Sequence, residues 1–233
     1  MAIPVAVLRQ LPLLRDLPSA RVESMAPRMN ERSFGRREVV FSKGDTGQAL
    51  CFLVEGRLQA VDFTLDGREV GLYFIESGDY FGETAVIDGQ PQPDFVIAVA
   101  RSRVAFLPAE DARSLIIGTP GIAQQVLTRL AQRFRGVAAQ RTLLGIPSPA
   151  QRVCAQLVLL TIKGAQGQVE IRNAPTHQEI AIMVNTSRET VTRIFHVLQA
   201  RGTVARDGIH LQIGDPGYLR DVAEGKMEPP KTS

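Results

Sequence analysis

The chain has 233 residues, 44% of them hydrophobic, and a formal net charge of +3, which suits two globular domains of ordinary size. Its two cysteines exclude a disulfide framework, and the absence of a CxxC motif or a Cys/His cluster argues against zinc and iron–sulfur sites. Arg9, Pro12 and Arg15 interrupt the apolar N-terminus before a secretory core or membrane span could form, so we expect a cytoplasmic protein.

The segment from Phe34 to Leu107 carries short runs of β-favouring residues separated by glycine-containing turns. The runs are VVF at 39–41, LCFLV at 50–54, LQAVDF at 58–63, VGLYFI at 70–75 and FVIAVA at 95–100. This rhythm predicts an antiparallel barrel or sandwich. Residues 1–33 are expected to form short flanking helices.

A long helix is predicted after Pro120, where apolar residues recur about every 3.7 residues. We interpret its apolar stripe as the seam of a dimer, formed by Val126, Leu130, Phe134, Val137 and Leu144. The same stripe could instead pack on the chain's own β-domain. Pro147 and Pro149 then break the helix and mark a hinge.

No acidic residue lies between Asp111 and Glu170, although the same stretch holds several basic ones: Arg113, Arg129, Arg133, Arg135, Arg141, Arg152 and Lys163. Such a run favours an anionic partner. A solvated basic helix face explains the run equally well until a motif is considered.

Two helix starts lie close together in the stretch THQEIAIMVNTSRETVTRIFHVL at 176–198. Thr176 with Glu179, and Thr186 with Glu189, both have the T-x-x-E form of a capping box. Asn185 lies between them and tolerates the left-handed backbone of a tight turn. The pattern predicts a helix-turn-helix.

The second helix has one apolar face and one polar face. Val191, Ile194, Phe195 and Leu198 follow the i, i+3, i+4, i+7 spacing and are expected in the core. The opposite arc presents Arg188, Glu189, Thr192, Arg193 and His196. Arginine can donate to guanine O6 and N7 and glutamate can accept from cytosine N4, so Arg188, Glu189 and Arg193 are candidate readers of G·C pairs. A surface ion pair between Glu189 and Arg193, worth about 0.2–0.5 kcal/mol, is the alternative.

A β-hairpin is predicted after this helix. Gly202 can end the helix, and residues 204–213 alternate around Asp207-Gly208, a pair favoured in two-residue turns. The hairpin would form a wing, with Arg201 and Arg206 as candidate phosphate contacts.

At this point the chain resembles the Crp/Fnr family of bacterial transcription regulators. VNTSRETVTRIFHVL resembles the family's recognition helix, with matching residues at Ser187, Arg188, Glu189, Thr190, Val191 and Arg193. The β-domain agrees in its motif residues Gly44, Gly56, Gly78-Asp79 and Phe81-Gly82-Glu83. The resemblance implies an α+β fold with an N-terminal antiparallel β-roll, a long dimerisation helix and a C-terminal winged helix-turn-helix. The expected boundaries are 1–118, 119–146 and 147–220, with a tail at 221–233.

The resemblance also implies partners. A homodimer would bind double-stranded DNA at a two-fold symmetric site with TGTGA-like half-sites, and would recruit or obstruct RNA polymerase. Further DNA contacts would come from Thr176, Gln178, Ser187, Thr190 and Thr192. A sensing module without direct promoter control is the alternative, whereas an enzyme is not expected because residues 1–146 contain no histidine for a cupin-like metal site.

The implied effector pocket departs from the family's cyclic-AMP pattern. Glu83 stands where the resemblance places a ribose-binding acid, but no arginine occupies positions 90–95, where a phosphate-binding Arg-Ser pair is expected. A cyclic phosphate facing Asp94 would be poorly compensated, so cyclic AMP should bind weakly or not at all. The residues expected around the pocket are Gly82, Glu83, Thr84, Pro93, Asp94, Arg133, Val137 and Ala138, the last two replacing the polar pair that reads adenine.

Other sensor chemistries are disfavoured by composition. All three histidines lie at 177–210, so the β-domain offers haem no histidine ligand, and Cys51 alone cannot hold an iron–sulfur cluster. Cys51 could act as a redox switch, but a small buried residue is the commoner explanation. Arg129 or Arg133 could meet an anionic effector such as a cyclic dinucleotide, and electrostatic steering of DNA is the alternative.

Overall fold

A computed structural model describes residues 3–46, 49–63, 67, 69–164 and 167–229. Two compact units make up the chain, and the boundary between them falls within one long helix, between Phe134 and Arg135. In the described ranges, no helix combines the length and apolar composition needed to cross a membrane.

The first unit is built on two four-stranded antiparallel sheets. One has the order β1 (Asn30–Phe34), β8 (Ser102–Pro108), β3 (Ala49–Glu55) and β6 (Tyr80–Phe81). The other has the order β2 (Val39–Phe41), β7 (Phe95–Ala98), β4 (Arg57–Phe63) and β5 (Glu69–Glu76). The expected sandwich is therefore present, and each of the five predicted runs contains a strand.

Three strands were missed by the pattern reading. β1 begins inside the segment expected to be helical, and β8 and β6 lie outside the five runs. β1 reads NERSF, with only Phe34 buried, because it is an edge strand paired on one side to β8. A strand with so few inward positions lacks a clear apolar alternation.

Helices flank these sheets. They are α1 (Val5–Leu8), α2 (Ser19–Met25) with a 3-10 turn (Ala26–Arg28), α3 (Glu83–Asp88), α4 (Ala109–Gly118) and the long α5 (Pro120–Leu144). Strand β3 is buried on both faces, with Cys51 and Leu53 in one cluster and Leu50 and Phe52 in another, beneath the helices. Cys51 is thus a core residue.

The first turns of α5 pack on the β-domain of the same chain. Ile122 and Val126 are buried in the cluster beneath the helices, and Leu130 is partly buried against it. Val126, only 1% exposed, therefore lies in its own domain's core and not on a surface that a partner helix could contact. The self-packing alternative holds for this end of the helix because α5 starts immediately after α4, which already lies on the sheet.

The second unit is a small α/β domain. After the end of α5 its elements are α6 (Pro149–Leu160), β9 (Ile162–Lys163), β10 (Val169–Ile171), α7 (His177–Met183), α8 (Arg188–Ala200), β11 (Val204–Asp207), β12 (His210–Ile213) and α9 (Pro216–Ala223). Pro149 is the first residue of α6, where its missing N–H costs nothing, and Ser148 caps that helix. α9 packs against α6, and its buried residues include Leu219 and Val222.

Candidate nucleic-acid interface and effector pocket

Helices α7 and α8 form the predicted helix-turn-helix. Thr176 caps α7 by accepting from the Glu179 N–H, and the Glu179 carboxylate accepts from the Thr176 N–H, which completes the first capping box. Asn185 has a φ of 49° in the turn, as its residue type predicted. Both local signals are confirmed.

The prediction of a second capping box, formed by Thr186 and Glu189, is wrong. The N-cap of α8 is Ser187, whose hydroxyl accepts from the Thr190 N–H at 3.2 Å, one residue later than the predicted Thr186. Ser187 has the extended backbone of a cap, at φ −85° and ψ 152°. The N3 position of α8 is therefore occupied by Thr190, and Glu189 is the second residue of the helix.

The two faces of α8 are oriented as predicted. Val191, Ile194, Phe195 and Leu198 are buried, whereas the candidate base-reading residues Arg188, Glu189 and Arg193 are exposed. Hydrogen bonds from its own N–H and from Ser187 lower the pKa of Glu189, so its carboxylate is the charged acceptor form at neutral pH.

The alternative ion pair does not form. Among the described residues, Glu189 makes no ion pair with Arg193, whose guanidinium lies 3.5 Å from Thr190 Oγ1. The other candidate contacts flank the same surface: Thr176, Gln178 and Ser187 are exposed, and Thr190 and Thr192 are half-buried.

Arg152 of α6 joins the linker after α5 to the turn of the helix-turn-helix. Its guanidinium donates to Ile146 O at 2.7 Å and Pro147 O at 3.0 Å, and also to Val184 O at 2.8 Å and Asn185 O at 3.1 Å. Sequence reasoning counted Arg152 only as one cation of the acid-free run. A guanidinium can bridge several acceptors because its donors point in fixed directions, but no local pattern shows which acceptors surround it.

The wing forms with a shifted turn. Asp207 pairs with His210, so Gly208 and Ile209 are the central turn residues, one position later than predicted. Of the two, only Gly208 has a positive φ, at 56°, which is the pattern of a type II′ turn. Arg206 donates to Gly208 O at 3.2 Å, beside this turn.

In the first unit, Glu83 and Arg133 form a buried ion pair. Glu83 starts α3 and is 0% exposed, and its Oε1 accepts from Arg133, which also donates to Tyr80 O at 3.4 Å. The second oxygen, Oε2, has no hydrogen-bond partner among the described residues. Gly82 precedes Glu83 with a φ of 83°, and a Cβ there would lie 2.5 Å from Ala49 O, so only glycine fits.

Tyr73 and Asp94 continue this cluster. Tyr73 donates to Asp94 Oδ2 at 3.2 Å, and Arg133 lies over the Tyr73 ring, 4.5 Å from its centroid. Burial raises the pKa of Asp94 above its ordinary value, although the Tyr73 hydroxyl opposes the shift. The structure thus brings Glu83, Asp94 and Arg133 together around Tyr73, which sequence reasoning did not include.

The remaining predicted pocket residues are placed differently. Thr84 is half-buried and Pro93 is exposed, whereas neighbouring Gln92 is buried with a side-chain N–H2 that has no partner among the described residues. Val137 and Ala138 are exposed on α5, beyond the boundary of the first unit.

Arg129 makes a second ion pair next to Arg133. It lies 2.9 Å from Asp79 Oδ1 and over the Tyr80 ring, 4.5 Å from the centroid. Arg129 and Arg133 line one wall of a cleft of about 580 Å3, together with Pro12, Leu13, Tyr73, Phe74, Gly78, Asp79, Tyr80, Gln124, Gln125, Thr128 and Gln132. Both candidate effector-binding arginines therefore already have a carboxylate partner.

Two family models match this chain. A cyclic nucleotide-binding domain matches residues 31–118, and a Crp-like helix-turn-helix domain matches residues 151–222. Neither matched range includes any residue of α5. The two matched ranges coincide with the sandwich and with the domain that carries α7 and α8.

Characterised relatives match nearly the whole chain. The cyclic AMP receptor protein of Thermus thermophilus is 28% identical, over 92% of this chain and 97% of its own length. A CRP-like cAMP-activated global transcriptional regulator of Mycobacterium tuberculosis is 26% identical, over 91% of this chain and 96% of its own. The structure of a CooA variant from Carboxydothermus hydrogenoformans superposes with a TM-score of 0.74 at 15% identity, over 92% and 95% of the two chains, which shows a shared fold.

Proposed function

Since this chain belongs to the Crp/Fnr family of transcription regulators, we propose that it binds promoter DNA as a homodimer through α7 and α8. The observation that carries this proposal is the polar arc of α8, where Arg188, Glu189 and Arg193 are exposed while the opposite face is buried. The N-terminal turn of a recognition helix is the part that reaches base edges in the major groove. The proposal places the protein in the cytoplasm, with its DNA.

The proposed target is a two-fold symmetric site with TGTGA-like half-sites. Arg188 and Arg193 would donate to guanine O6 and N7, and Glu189 would accept from cytosine N4. Thr176, Gln178, Ser187, Thr190 and Thr192 would contact phosphates or neighbouring bases and fix the position of the helix.

A direct binding experiment tests this assignment. Fluorescence anisotropy with a TGTGA-N6-TCACA duplex at fixed salt should show specific binding. The Arg188→Ala variant should lose about 1–3 kcal/mol of binding free energy per half-site, and it should distinguish less well between bases at one position of the site. The matched control is Arg220→Ala, because Arg220 is exposed on α9 of the same domain. Equal binding of the duplex and a scrambled sequence would refute the proposal.

The homodimer is supported by the apolar side chains that α5 leaves exposed. Leu127 and Phe134, 61% and 76% exposed, are seven residues apart, as are Val137 and Leu144, 62% and 38% exposed. These are the a and d positions of one heptad pattern, which is the pattern of helices that pair in solution. Leu127 was missed from the predicted seam, although its heptad spacing from Phe134 was visible in the sequence.

In the proposed mechanism, the β-domain alters the seam near residues 134–144 and the hinge at 146–149. The two recognition helices of the dimer would then be spaced by one turn of DNA, about 34 Å. Bound there, the protein would recruit or obstruct RNA polymerase. We propose no catalytic activity, and among the described residues no group of His, Cys, Asp and Glu is arranged to hold a metal ion.

We further propose that cyclic AMP is not the controlling ligand, although the names of two relatives refer to it. Glu83 is already paired with Arg133, and Asp94 occupies the region where a cyclic phosphate would need a cation. An anionic phosphate there would face a carboxylate with no arginine at 90–95. Calorimetric titration should show weak or no binding, and a dissociation constant in the low micromolar range would overturn this proposal.

A sensing module for an anionic nucleotide is the second candidate function, favoured by the cleft beside Arg129 and Arg133. An anion entering there would have to replace Asp79 or Glu83 as the partner of a guanidinium. Cyclic di-GMP is a suitable probe. If the probe binds, the Arg129→Ala, Arg133→Ala double variant should lose binding, and unchanged binding would remove this candidate.

A further inference from the structure

The cleft beside Arg129 and Arg133 opens on a side of α5 that the proposed dimer seam does not use. Three residues of α5 that line the cleft, Gln125, Thr128 and Gln132, fall within an arc of about 60° around the helix. The seam residues Leu127 and Phe134 face about 140° away from the middle of that arc. A partner that pairs along the seam therefore leaves this side of α5 open.

The charged side chains of the cleft already have partners. Among the described residues that line it, the charged ones are Asp79, Arg129 and Arg133. Arg129 lies 2.9 Å from Asp79 Oδ1, and Arg133 is paired with the buried Glu83. A charged ligand would gain a partner here only by breaking one of these pairs, which leaves a partly buried charge without compensation. An uncharged ligand leaves both pairs intact.

Three aromatic rings line the cleft on the side of the β-domain. Each ring has a guanidinium group over it, 4.0 to 4.5 Å from the ring centroid: Arg133 over Tyr73, Arg57 over Phe74 and Arg129 over Tyr80. The Tyr80 hydroxyl also donates to Gln125 O at 3.5 Å, which ties this wall to α5. Rings fixed in this way provide a rigid apolar surface on which a flat ligand can pack.

The α5 side of the cleft carries uncharged hydrogen-bonding groups. Gln124 Nε2 donates to Thr128 Oγ1 at 3.3 Å, whereas the side-chain amides of Gln125 and Gln132 make no hydrogen bond among the described residues. An amide offers two N–H donors and one acceptor oxygen. It can therefore pair with a neighbouring donor and acceptor on the edge of a ring, as glutamine does with N6 and N7 of adenine.

We propose that the cleft binds an uncharged, planar nitrogen heterocycle, which packs on the aromatic wall and is hydrogen-bonded by Gln125 and Gln132. The cleft volume of about 580 Å3 lies within the range of about 300–1,000 Å3 that is usual for small-molecule sites. Among the described residues expected around the effector pocket, Arg133 alone lines this cleft, so the two are different sites. The inference does not rest on DNA binding, and it differs from the anionic-nucleotide candidate because no ion pair has to break.

The test compares neutral ligands with their phosphorylated counterparts on the full chain. The probes are riboflavin with FMN, followed by flavin fluorescence, and guanosine with GMP, followed by calorimetry. At least one neutral probe should bind with a dissociation constant below about 1 mM, and its affinity should change less than about twofold between about 0.05 M and about 0.5 M salt. The phosphorylated member of the pair should bind no tighter, because the cleft has no free cation for the phosphate.

Substitutions on α5 locate the bound ring. The Gln125→Leu, Gln132→Leu double variant keeps side chains of similar size but removes both amides, and it should weaken binding at least about tenfold. Both glutamines are exposed, so the variant should fold, and urea unfolding checks that it does. The matched control is Gln90→Leu, because Gln90 is an exposed glutamine of the same unit that does not line the cleft.

Three results would overturn the inference. The first is that neither riboflavin nor guanosine binds at about 1 mM, and the second is that binding is unchanged in the double glutamine variant. The third is tighter binding of FMN or GMP than of the neutral partner, with the difference lost in the Arg129→Ala, Arg133→Ala variant; this would favour the anionic-nucleotide candidate. None of these results bears on specific binding of the TGTGA-N6-TCACA duplex, so the proposed DNA binding and this inference fail separately.

Discussion

Replacing Arg152 tests whether one side chain holds the α5–α6 linker to the turn of the helix-turn-helix. Arg152→Ala removes a guanidinium that donates to four carbonyls, two on each side. A hydrogen bond from a charged donor contributes about 1.5–3 kcal/mol. The four bonds share one half-buried side chain and are not additive, so we expect the free energy of unfolding to fall by about 2–4 kcal/mol.

A conservative variant separates charge from geometry. Arg152→Lys keeps the positive charge, but an ammonium group carries its donors on a single nitrogen and cannot span both sides of the bridge. We therefore expect it to recover less than half of the loss. Arg172→Ala is the control, because Arg172 pairs with Glu170 on the surface of the same domain and such pairs contribute about 0–1 kcal/mol.

Urea unfolding gives the stability change, and amide hydrogen exchange locates it. Exchange should accelerate at Asn185 and in the first turn of α8 when Arg152 is replaced, since the turn loses its external anchor. DNA affinity should fall with it. A stability loss below about 0.5 kcal/mol in Arg152→Ala, or full recovery by Arg152→Lys, would show that the bridge does not hold these segments together.

Further predictions concern the first unit and the long helix. Arg133→Met should lower the free energy of unfolding by about 3–5 kcal/mol, because it leaves Glu83 as a buried unpaired charge. Glu83→Gln in the Arg133→Met background should restore part of this loss. A double-mutant cycle measured by urea unfolding that shows no coupling would contradict the pairing. Phe134→Asp should shift the protein from dimers to monomers in sedimentation velocity. Ile117→Asp, at an equally exposed site on α4, should leave the dimer intact. If both variants remain dimers, the proposed α5 seam is excluded. Burial raises the pKa of Cys51, so its thiol should react with a disulfide reagent only after the protein unfolds. The free energy of unfolding should decline as pH rises above about 9, because the thiol ionises first in the unfolded chain. Rapid labelling of the native protein would instead support a redox role for Cys51.

Short-range patterns predicted the helix-turn-helix of this protein. The capping box of Thr176 and Glu179, the left-handed turn at Asn185 and the apolar spacing of α8 all depend on residues within one or two helical turns. The same holds for the long α5 and its end before Pro149. Such signals are readable because the interacting groups are neighbours in the chain.

Where two neighbouring residues could fill the same position in a cap or a turn, the sequence-based prediction was wrong by one residue. Thr186 and Ser187 are both good N-caps, and the structure uses Ser187. In the wing, Asp207 pairs across the hairpin to His210, and the turn moves to Gly208-Ile209. Each case was settled by strand or helix register, which depends on what the neighbouring elements bury.

The amino-acid sequence by itself determined the five strand-forming runs between residues 39 and 100, the long helix α5 and the outward polar face of α8. Only the tertiary structure decided that Arg133 neutralises Glu83, fifty positions away in the chain, and that Arg152 reaches Val184 O across thirty-two. It also decided that Val126 faces inward while Phe134 faces outward on the same apolar stripe. The reason is that pairing and burial at such separations depend on the directions in which packed elements point their side chains, and local sequence periodicity does not contain that information.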